Sequence, residues 1–435
     1  MTNARTPTFA RSNALYERAL KTIPLASQTF SKSAMNFVRG ASPLFLDRGK
    51  GCRVWDVDGN EYIDYVLGLM PIVLGYCDPD VDAAIRAQLE KGIIFSLATE
   101  LEVQVAERLV RLIPCAEMVR FGKNGSDATS AAVRLARAHT GRDRVIVCGY
   151  HGWHDWYIGT TTRHLGVPNA VRDLSISLPY GDLQVFEDVL AHNRNDFAAI
   201  VIEPVGGLGG SAEFLKGLRS LTERYGVVLV FDEIVTGFRL DLGGAQRYYG
   251  VTPDLAAFGK AMGNGMPIAA VVGRGAIMRR MEDIFFSGTF GGETLSLAAS
   301  LATIDKLERT NAVARIHAVG ERLIAGINDI LARAAVAHRI VVQGMPWHPV
   351  IRVTGGGVQD RIVSSVLRQE LVANGVLGSG VINIALTHDD PEVLRLTLSA
   401  WERAAAVVRD AIQSPDPARF LRGHPIEPVF QVRSN

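Results

Sequence analysis

The chain has 435 residues, 21% of them charged, with 46 Lys and Arg against 45 Asp and Glu and a formal net charge of +1. That length exceeds one ordinary core, so two domains are expected, and a near-neutral balance without a basic stripe argues against a nucleic-acid partner. Cys52, Cys77, Cys115 and Cys148 lie far apart with no C-x-x-C pair, which argues against a disulfide framework or zinc site and fits a reducing compartment.

No apolar run approaches the length that crosses a bilayer, so no membrane partner is expected. The polar stretch from Met1 to Arg11 lacks the apolar core of a signal peptide, so a cytoplasmic chain is expected. A helix is predicted over residues 12–22, ending before Pro24. Two β-rich runs between Arg53 and Tyr65 flank Asp58-Gly59, a hairpin signal. From about Asp78 helices alternate with short apolar strands. Helices are predicted over 79–91, 100–112, 127–140 and 213–225, and strands over 144–148, 198–202, 227–231 and 268–272. Short apolar runs separated by helices predict a mostly parallel, doubly wound α/β sheet. A long helix is expected from 295 past 312, then strands over 339–343 and 349–353 and helices over 359–374 and 391–412. The expected organisation is a large domain over 76–325, with a smaller α+β domain drawn from the segment 1–75 and from 326–435.

Several motifs carry chemistry. Phe121-Gly122-Lys123-Asn124-Gly125-Ser126-Asp127-Ala128 leads into a helix that Ser126 or Asp127 can cap. The free N–H groups and the positive end of the helix dipole then face an anion such as phosphate. Asp127 is itself an acid, so anion contacts fall to the backbone and Ser126. Taken alone the motif reads more readily as an ordinary capped turn. Gly149-Tyr150-His151-Gly152-Trp153-His154-Asp155-Trp156-Tyr157 follows a strand, where α/β sheets bind ligands. An aromatic ring there can stack on a flat heterocycle, and His or Tyr can bond a substrate. The spacing of His151, His154 and Asp155 matches no standard metal set, so no metal is expected.

Glu203-Pro204 and Asp232-Glu233 place acids at two strand ends, and Lys260 stands in Ala257-Phe258-Gly259-Lys260-Ala261-Met262-Gly263. A lysine able to form a Schiff base and an acid able to keep a ring nitrogen protonated are what a pyridoxal phosphate enzyme needs. Singly they read as a loop lysine and a helix cap. Gly206-Gly207-Leu208-Gly209-Gly210 lacks the G-x-G-x-x-G order, which weakens a nicotinamide reading. Ser287-Gly288-Thr289-Phe290-Gly291-Gly292-Glu293-Thr294 is a second small-residue turn before a helix.

In this order the motifs resemble the class III, fold type I aminotransferases, most of all their glutamate-1-semialdehyde aminomutase branch, from about Pro43 to Leu396. The resemblance implies a seven-stranded large domain, pyridoxal 5'-phosphate as cofactor, Lys260 as Schiff-base lysine and Asp232 as partner of the ring nitrogen. It implies that Gly125 and Ser126 hold the phosphate, that Tyr150 stacks on one ring face with Val235 or Ile234 on the other, and that Glu203 lies near the phenolic oxygen. His151 joins the cofactor contacts. Thr289 is implied to reach the phosphate of the neighbouring subunit, hence a homodimer with shared sites, the segment 1–75 contributing to its interface.

Two departures stand out. The aminomutase has a carboxylate-gripping arginine where this chain reads Ser27-Gln28-Thr29-Phe30-Ser31-Lys32, and it has a longer loop where this chain has Leu377-Gly378-Ser379-Gly380-Val381. Lys32 supplies charge without the bidentate fork. Trp153, His154 and Glu293 become further substrate candidates, because their surroundings are similar to those in aminotransferases of amino-sugar pathways. The expected activity is transfer of an amino group from a donor to an aldehyde or keto acceptor such as a sugar. The rivals are the aminomutase itself and a catalytically silent binding protein on the same fold.

Overall fold

The structure, a computed structural model, describes residues 7–193, 195–207 and 209–429; residues 1–6 of the polar N-terminal stretch, residues 430–435 of the expected C-terminal domain and Leu208 of the glycine run lie outside them. The chain divides into two compact units, one from residues 7–78 with Ala314–Val429, the other Pro79–Val313.

In the first unit, α1 (Ala10–Ala19) precedes β1 (Leu46–Lys50), β2 (Arg53–Asp56) and β3 (Glu61–Asp64). The predicted hairpin is β2–β3, with Val54 opposite Tyr62. Asp56 fixes its turn: its carboxylate accepts the N–H groups of Asp58 at 3.0 Å and Asn60 at 2.8 Å and the Tyr62 hydroxyl at 2.9 Å. These local bonds are why Asp-Gly turns set register.

The second unit opens with α2 (Pro79–Leu89) and α3 (Glu100–Leu112), then β4 (Met118–Gly122), α4 (Gly125–Thr140), β5 (Arg144–Cys148), β6 (Ser175–Ser177), β7 (Phe197–Ile202), β8 (Val228–Asp232), β9 (Leu255–Phe258) and β10 (Ala269–Gly273). Its seven strands lie in the order β4-β10-β9-β8-β7-β5-β6. β5 through β9 are parallel, and β10 runs antiparallel to both β4 and β9, so β4 points the same way as the parallel set. All six residues of β7 are buried, as expected of a strand covered on both faces, where each buried Val, Leu or Ile contributes about 1.5–3 kcal/mol. α4 lies across β7, β9 and β10, and its buried alanines let it approach the sheet closely.

The first unit resumes with β11 (Ile340–Met345) paired to β12 (His348–Val353), while β13 (Val376–Leu377) adds to β3 in parallel. The α/β sheet and the smaller α+β unit drawn from both chain ends match the expectation. The long helix does not: it is two helices, Thr294–Arg309 and Ala312–Arg333, broken where Asn311 turns to φ +49°. β1, β4, β6, β9 and β13 went unpredicted. β4 carries Arg120, β6 has three residues, and β9 reads Leu-Ala-Ala-Phe, whose alanines favour helix.

Candidate active site at the carboxyl edge of the sheet

Four neighbouring parallel strands deliver the expected residues to one edge. Tyr150 and His151 follow β5, Glu203 follows β7, Asp232 ends β8, and Lys260 stands two residues after β9. This is where open α/β sheets bind ligands.

Asp232 is buried and held from two sides. His151 Nδ1 lies 2.8 Å from its Oδ2, and the Ile234 N–H donates to its Oδ1 at 3.1 Å. A carboxylate only accepts, so Nδ1 carries the proton. That leaves His151 Nε2 buried without a partner among the described residues. Glu203 Oε2 accepts the Tyr150 N–H at 2.9 Å. Burial pushes the Glu203 carboxyl up from its ordinary value, the Asp232 charge adds to this, and His151 and Lys260 oppose it. The contact depends on Gly149, at φ +110°, where a Cβ would stand 2.5 Å from Glu203 Oε2.

Desolvation pulls the Lys260 amine down from its ordinary value; Glu203 and Asp232 oppose that pull, and the Arg239 charge reinforces it. Arg239 is itself wholly buried, and burial draws its guanidinium down to about 9. Lys260 adopts φ +41°, a left-handed backbone that costs a non-glycine residue free energy and clusters at functional sites.

Of the two cap formers expected at α4, Asp127 takes part and Ser126 does not. Asn124 is the N-cap, and Asp127 Oδ2 turns back to accept the N–H groups of Lys123 at 2.9 Å and Asn124 at 2.8 Å. Ser126 is thereby left out of the cap, and among the described residues its hydroxyl receives only the Trp153 N–H, at 3.4 Å. Two glycines allow close packing here, one against Ile234 and one against Ser126. A Cβ on Gly125 would lie 3.1 Å from Ile234 Cγ2, and one on Gly152, at φ +100°, would overlap Ser126 Oγ. Ile234, rather than Val235, is thus the side chain against the start of α4; both are half-buried.

The other candidates fall in different settings. Tyr150 and Trp153 are exposed, the latter 68% so, and Tyr150 meets Tyr157 edge-on at 5.5 Å. His154 Nδ1 bonds Ser130 Oγ at 2.6 Å, and Trp156 Nε1 donates to the same hydroxyl at 2.8 Å. Among the described residues no His, Cys, Asp or Glu group is arranged to hold a metal ion. Thr289 is exposed on its turn. Glu293 caps the helix Thr294–Arg309, accepting the Leu295 N–H at 2.7 Å and the Ser296 hydroxyl at 2.5 Å, and pairs with Lys123 Nζ at 2.9 Å. Burial pushes its carboxyl up, but these bonds outweigh burial and the net shift is down. Lys32 is exposed on the short turn Phe30–Lys32 of the other unit.

Sequence reasoning missed Lys123, Ser130 and Arg239 as parts of this setting. Lys123 stood inside a motif already singled out, but nothing in the sequence around Lys123 or Arg239 signals an ion pair or complete burial.

The Aminotransferase class-III family model matches residues 36–347. The 3-aminobutyryl-CoA aminotransferase of Cloacimonas acidaminovorans (strain Evry) is 39% identical over 351 residues, covering 79% of this chain and 83% of the relative. A glutamate-1-semialdehyde 2,1-aminomutase of Syntrophobacter fumaroxidans (strain DSM 10017 / MPOB) is 39% identical over 344 residues, 75% of this chain and 79% of the relative. Among solved structures, the FumI protein of Sphingopyxis sp. MTA144 in its PLP internal aldimine form superposes with TM-score 0.86 at 29% identity, covering 94% of this chain and 99% of that one. An omega-transaminase from Sphaerobacter thermophilus gives TM-score 0.82 at 29% identity over 90% of this chain and 97% of that one.

Proposed function

The chain belongs to the class-III aminotransferases, and we propose that it moves an amino group from an amine donor to an aldehyde or keto acceptor by way of Lys260. Its cofactor is pyridoxal phosphate, which when bound supplies an electrophilic aldehyde and a ring that draws electrons from the amine-bearing carbon.

The residues fit that group: a helix start with an uncommitted serine, an acid at a strand tip, a desolvated amine, and a buried imidazole nitrogen without a protein partner. In this reading Lys260 Nζ holds the aldehyde carbon, and Asp232, backed by His151, holds the ring nitrogen. Glu203 holds the phenolic oxygen. The amides of Gly125 and Ser126 with the Ser126 hydroxyl hold the phosphate, Tyr150 and Val235 cover the two ring faces, and Thr289 reaches the phosphate of a second copy. The observation that carries the reading is the charge setting of Lys260. Desolvation and Arg239 favour the neutral amine, which can take the proton at the substrate's Cα, while Glu203 and Asp232 stand near enough to oppose them.

Exposed Trp153, whose N–H reaches Ser126, offers an aromatic face of the kind that sugars pack against, which supports a sugar or sugar-derived acceptor and a place in amino-sugar biosynthesis. The Cloacimonas relative's name adds an acyl-thioester amine to the donors worth screening. An open groove of about 860 Å³ lined by Val103, Val110, Gly288 and Gly291 supports a homodimer through that surface. Among the described residues no helix is long and apolar enough to cross a membrane, and the buried free thiols of Cys52, Cys115 and Cys148 support a cytoplasmic location.

Lys260→Ala is expected to lose both the visible absorbance of bound cofactor and turnover; a purified variant keeping that band and full activity overturns the assignment. The likeness to the Syntrophobacter enzyme favours aminomutase activity as a second reading. The absence of arginine between Ser27 and Lys32 weighs against it. Incubation with glutamate semialdehyde and no separate donor separates the two.

A further inference from the structure

Residues 287–292 form an exposed arch. The Gly291 N–H bonds Gly288 O at 3.0 Å and the Glu293 N–H bonds Phe290 O at 3.1 Å, while Thr289 and Phe290 face outward, Phe290 59% exposed. The upstream foot of this arch stands on β4 and α4, and the downstream foot on the loop between them. Upstream, the Phe286 ring packs on the core, and a Cβ on Gly122 would lie 3.6 Å from its Cζ. Arg120 from β4 donates to Phe286 O at 3.1 Å, and Arg134 from α4 donates to Phe285 O at 2.8 Å.

Downstream, Glu293 both caps the helix Thr294–Arg309 and pairs with Lys123 at 2.9 Å. The Lys123 and Glu293 side chains are only 18% and 11% exposed, so solvent and salt screen the pair far less than a surface bridge. Lys123 stands two residues before Gly125, and its own N–H is tied to Asp127 at 2.9 Å. Its charge is therefore turned toward Glu293, and the anion-attracting power of the α4 start comes from amides and the dipole.

From this geometry we propose that Lys123 and Glu293 are a positioning pair coupling the anion cradle at the start of α4 to the arch that carries Thr289. This rests on the reading that Gly125 and Ser126 receive the cofactor's phosphate. An anion that orders residues 123–126 steadies the downstream foot, and by linkage a steadied arch favours retention of the anion.

The test is hydrogen exchange of the Gly291 and Glu293 amides in cofactor-loaded and cofactor-stripped protein, with inorganic phosphate on the stripped protein as a second probe. In wild type, cofactor is expected to slow arch exchange on the order of tenfold, and phosphate to slow it in the same direction. In Lys123→Met and Glu293→Gln the loaded and stripped rates should converge while exchange in the core of α4 stays at its wild-type rate. Lys123→Arg should keep the wild-type ratio. Wild-type ratios in both charge-removing variants overturn the proposal, as does a wild-type arch that exchanges at one rate with and without cofactor. Neither outcome touches the Lys260 assignment, which is read by absorbance.

Discussion

His151 Nδ1 and Asp232 Oδ2 are 2.8 Å apart, the imidazole wholly buried and the carboxylate nearly so. A charge-assisted bond in such a setting is worth about 1.5–3 kcal/mol, because removing one partner strands the other's charge out of water. The ring's hydrogen bond goes to Asp232 and it acts on Glu203 only through charge, so what it fixes is where the Asp232 carboxylate points. His151→Ala is expected to keep some visible cofactor absorbance while kcat falls by about 10- to 100-fold, the equivalent of that bond. His151→Asn, which can still donate, should recover part of the loss. A His151→Ala variant with wild-type kcat would show that Asp232 needs no orientation.

The amine of Lys260 is pulled below its ordinary value by desolvation, with Glu203 and Asp232 opposing and Arg239 assisting. In cofactor-stripped protein, acylation of Lys260 should therefore set in at lower pH than for an exposed lysine. Glu203→Gln removes a negative neighbour, so it should move that onset lower still, as read by mass spectrometry across a pH series. Stability has the matching sign. Between the depressed folded value and 10.5 the unfolded chain binds the extra proton, so this group's contribution to stability rises with pH. An onset that rises in Glu203→Gln would contradict the charge setting.

The sheet was legible wherever strands were long and apolar, as in β7, or bounded by glycine and acid, as in β8. It was illegible at β9, whose alanines carry no strand preference and are held by neighbours on both sides. The hairpin at Asp58-Gly59 was readable because its turn chemistry is local. For the site, strand-end acids and the glycine-flanked lysine announced themselves in the sequence. Pairings across long separations did not: Lys123 with Glu293, His154 with Ser130 and His151 with Asp232 depend on which strands become neighbours, and one-dimensional spacing does not encode that. At the cap of α4, Asp127 was legible but the N-cap Asn124 was not, since Asn124, Ser126 and Asp127 are all good cap formers and only the loop backbone decides among them.

Glu233 gives a pH-dependent stability of known sign. It is wholly buried, accepts the N–H groups of Ala245 at 2.8 Å and Gln246 at 3.2 Å and the Thr236 hydroxyl, and burial still pushes its carboxyl up from 4.5 to about 7. Between those values the folded protein keeps a proton that the unfolded chain has lost. The stabilisation is complete below pH 4.5 and is lost as pH rises through about 7, an effect of about 3 kcal/mol. Glu233→Gln removes the ionisation and keeps an oxygen acceptor. Denaturant melts should find the variant gaining on wild type between pH 5 and pH 8, with the gap closing toward pH 4. A difference that does not change with pH would mean that Glu233 binds its proton equally well in the folded and the unfolded chain.

Three glycines with similar backbones separate strain from function. Gly149, Gly152 and Gly166 have φ of +110°, +100° and +90°, so alanine at each meets a left-handed penalty of about 1–2 kcal/mol. Their surroundings differ. Among the described residues nothing lies within 4 Å of a Cβ at Gly166, whereas one at Gly149 meets Glu203 Oε2 at 2.5 Å and one at Gly152 overlaps Ser126 Oγ. Gly166→Ala should lower Tm and leave cofactor affinity untouched. Gly152→Ala should lower Tm at least as much and also weaken cofactor retention by tenfold or more, since about 1.4 kcal/mol of lost phosphate contact corresponds to that factor. Gly149→Ala should displace Glu203 and change the absorbance of bound cofactor more than its affinity. The comparison needs only melting curves and an absorbance titration. Equal cofactor affinity in Gly152→Ala and Gly166→Ala would place the phosphate away from Ser126, while leaving Lys260 and Asp232 where the strand ends put them.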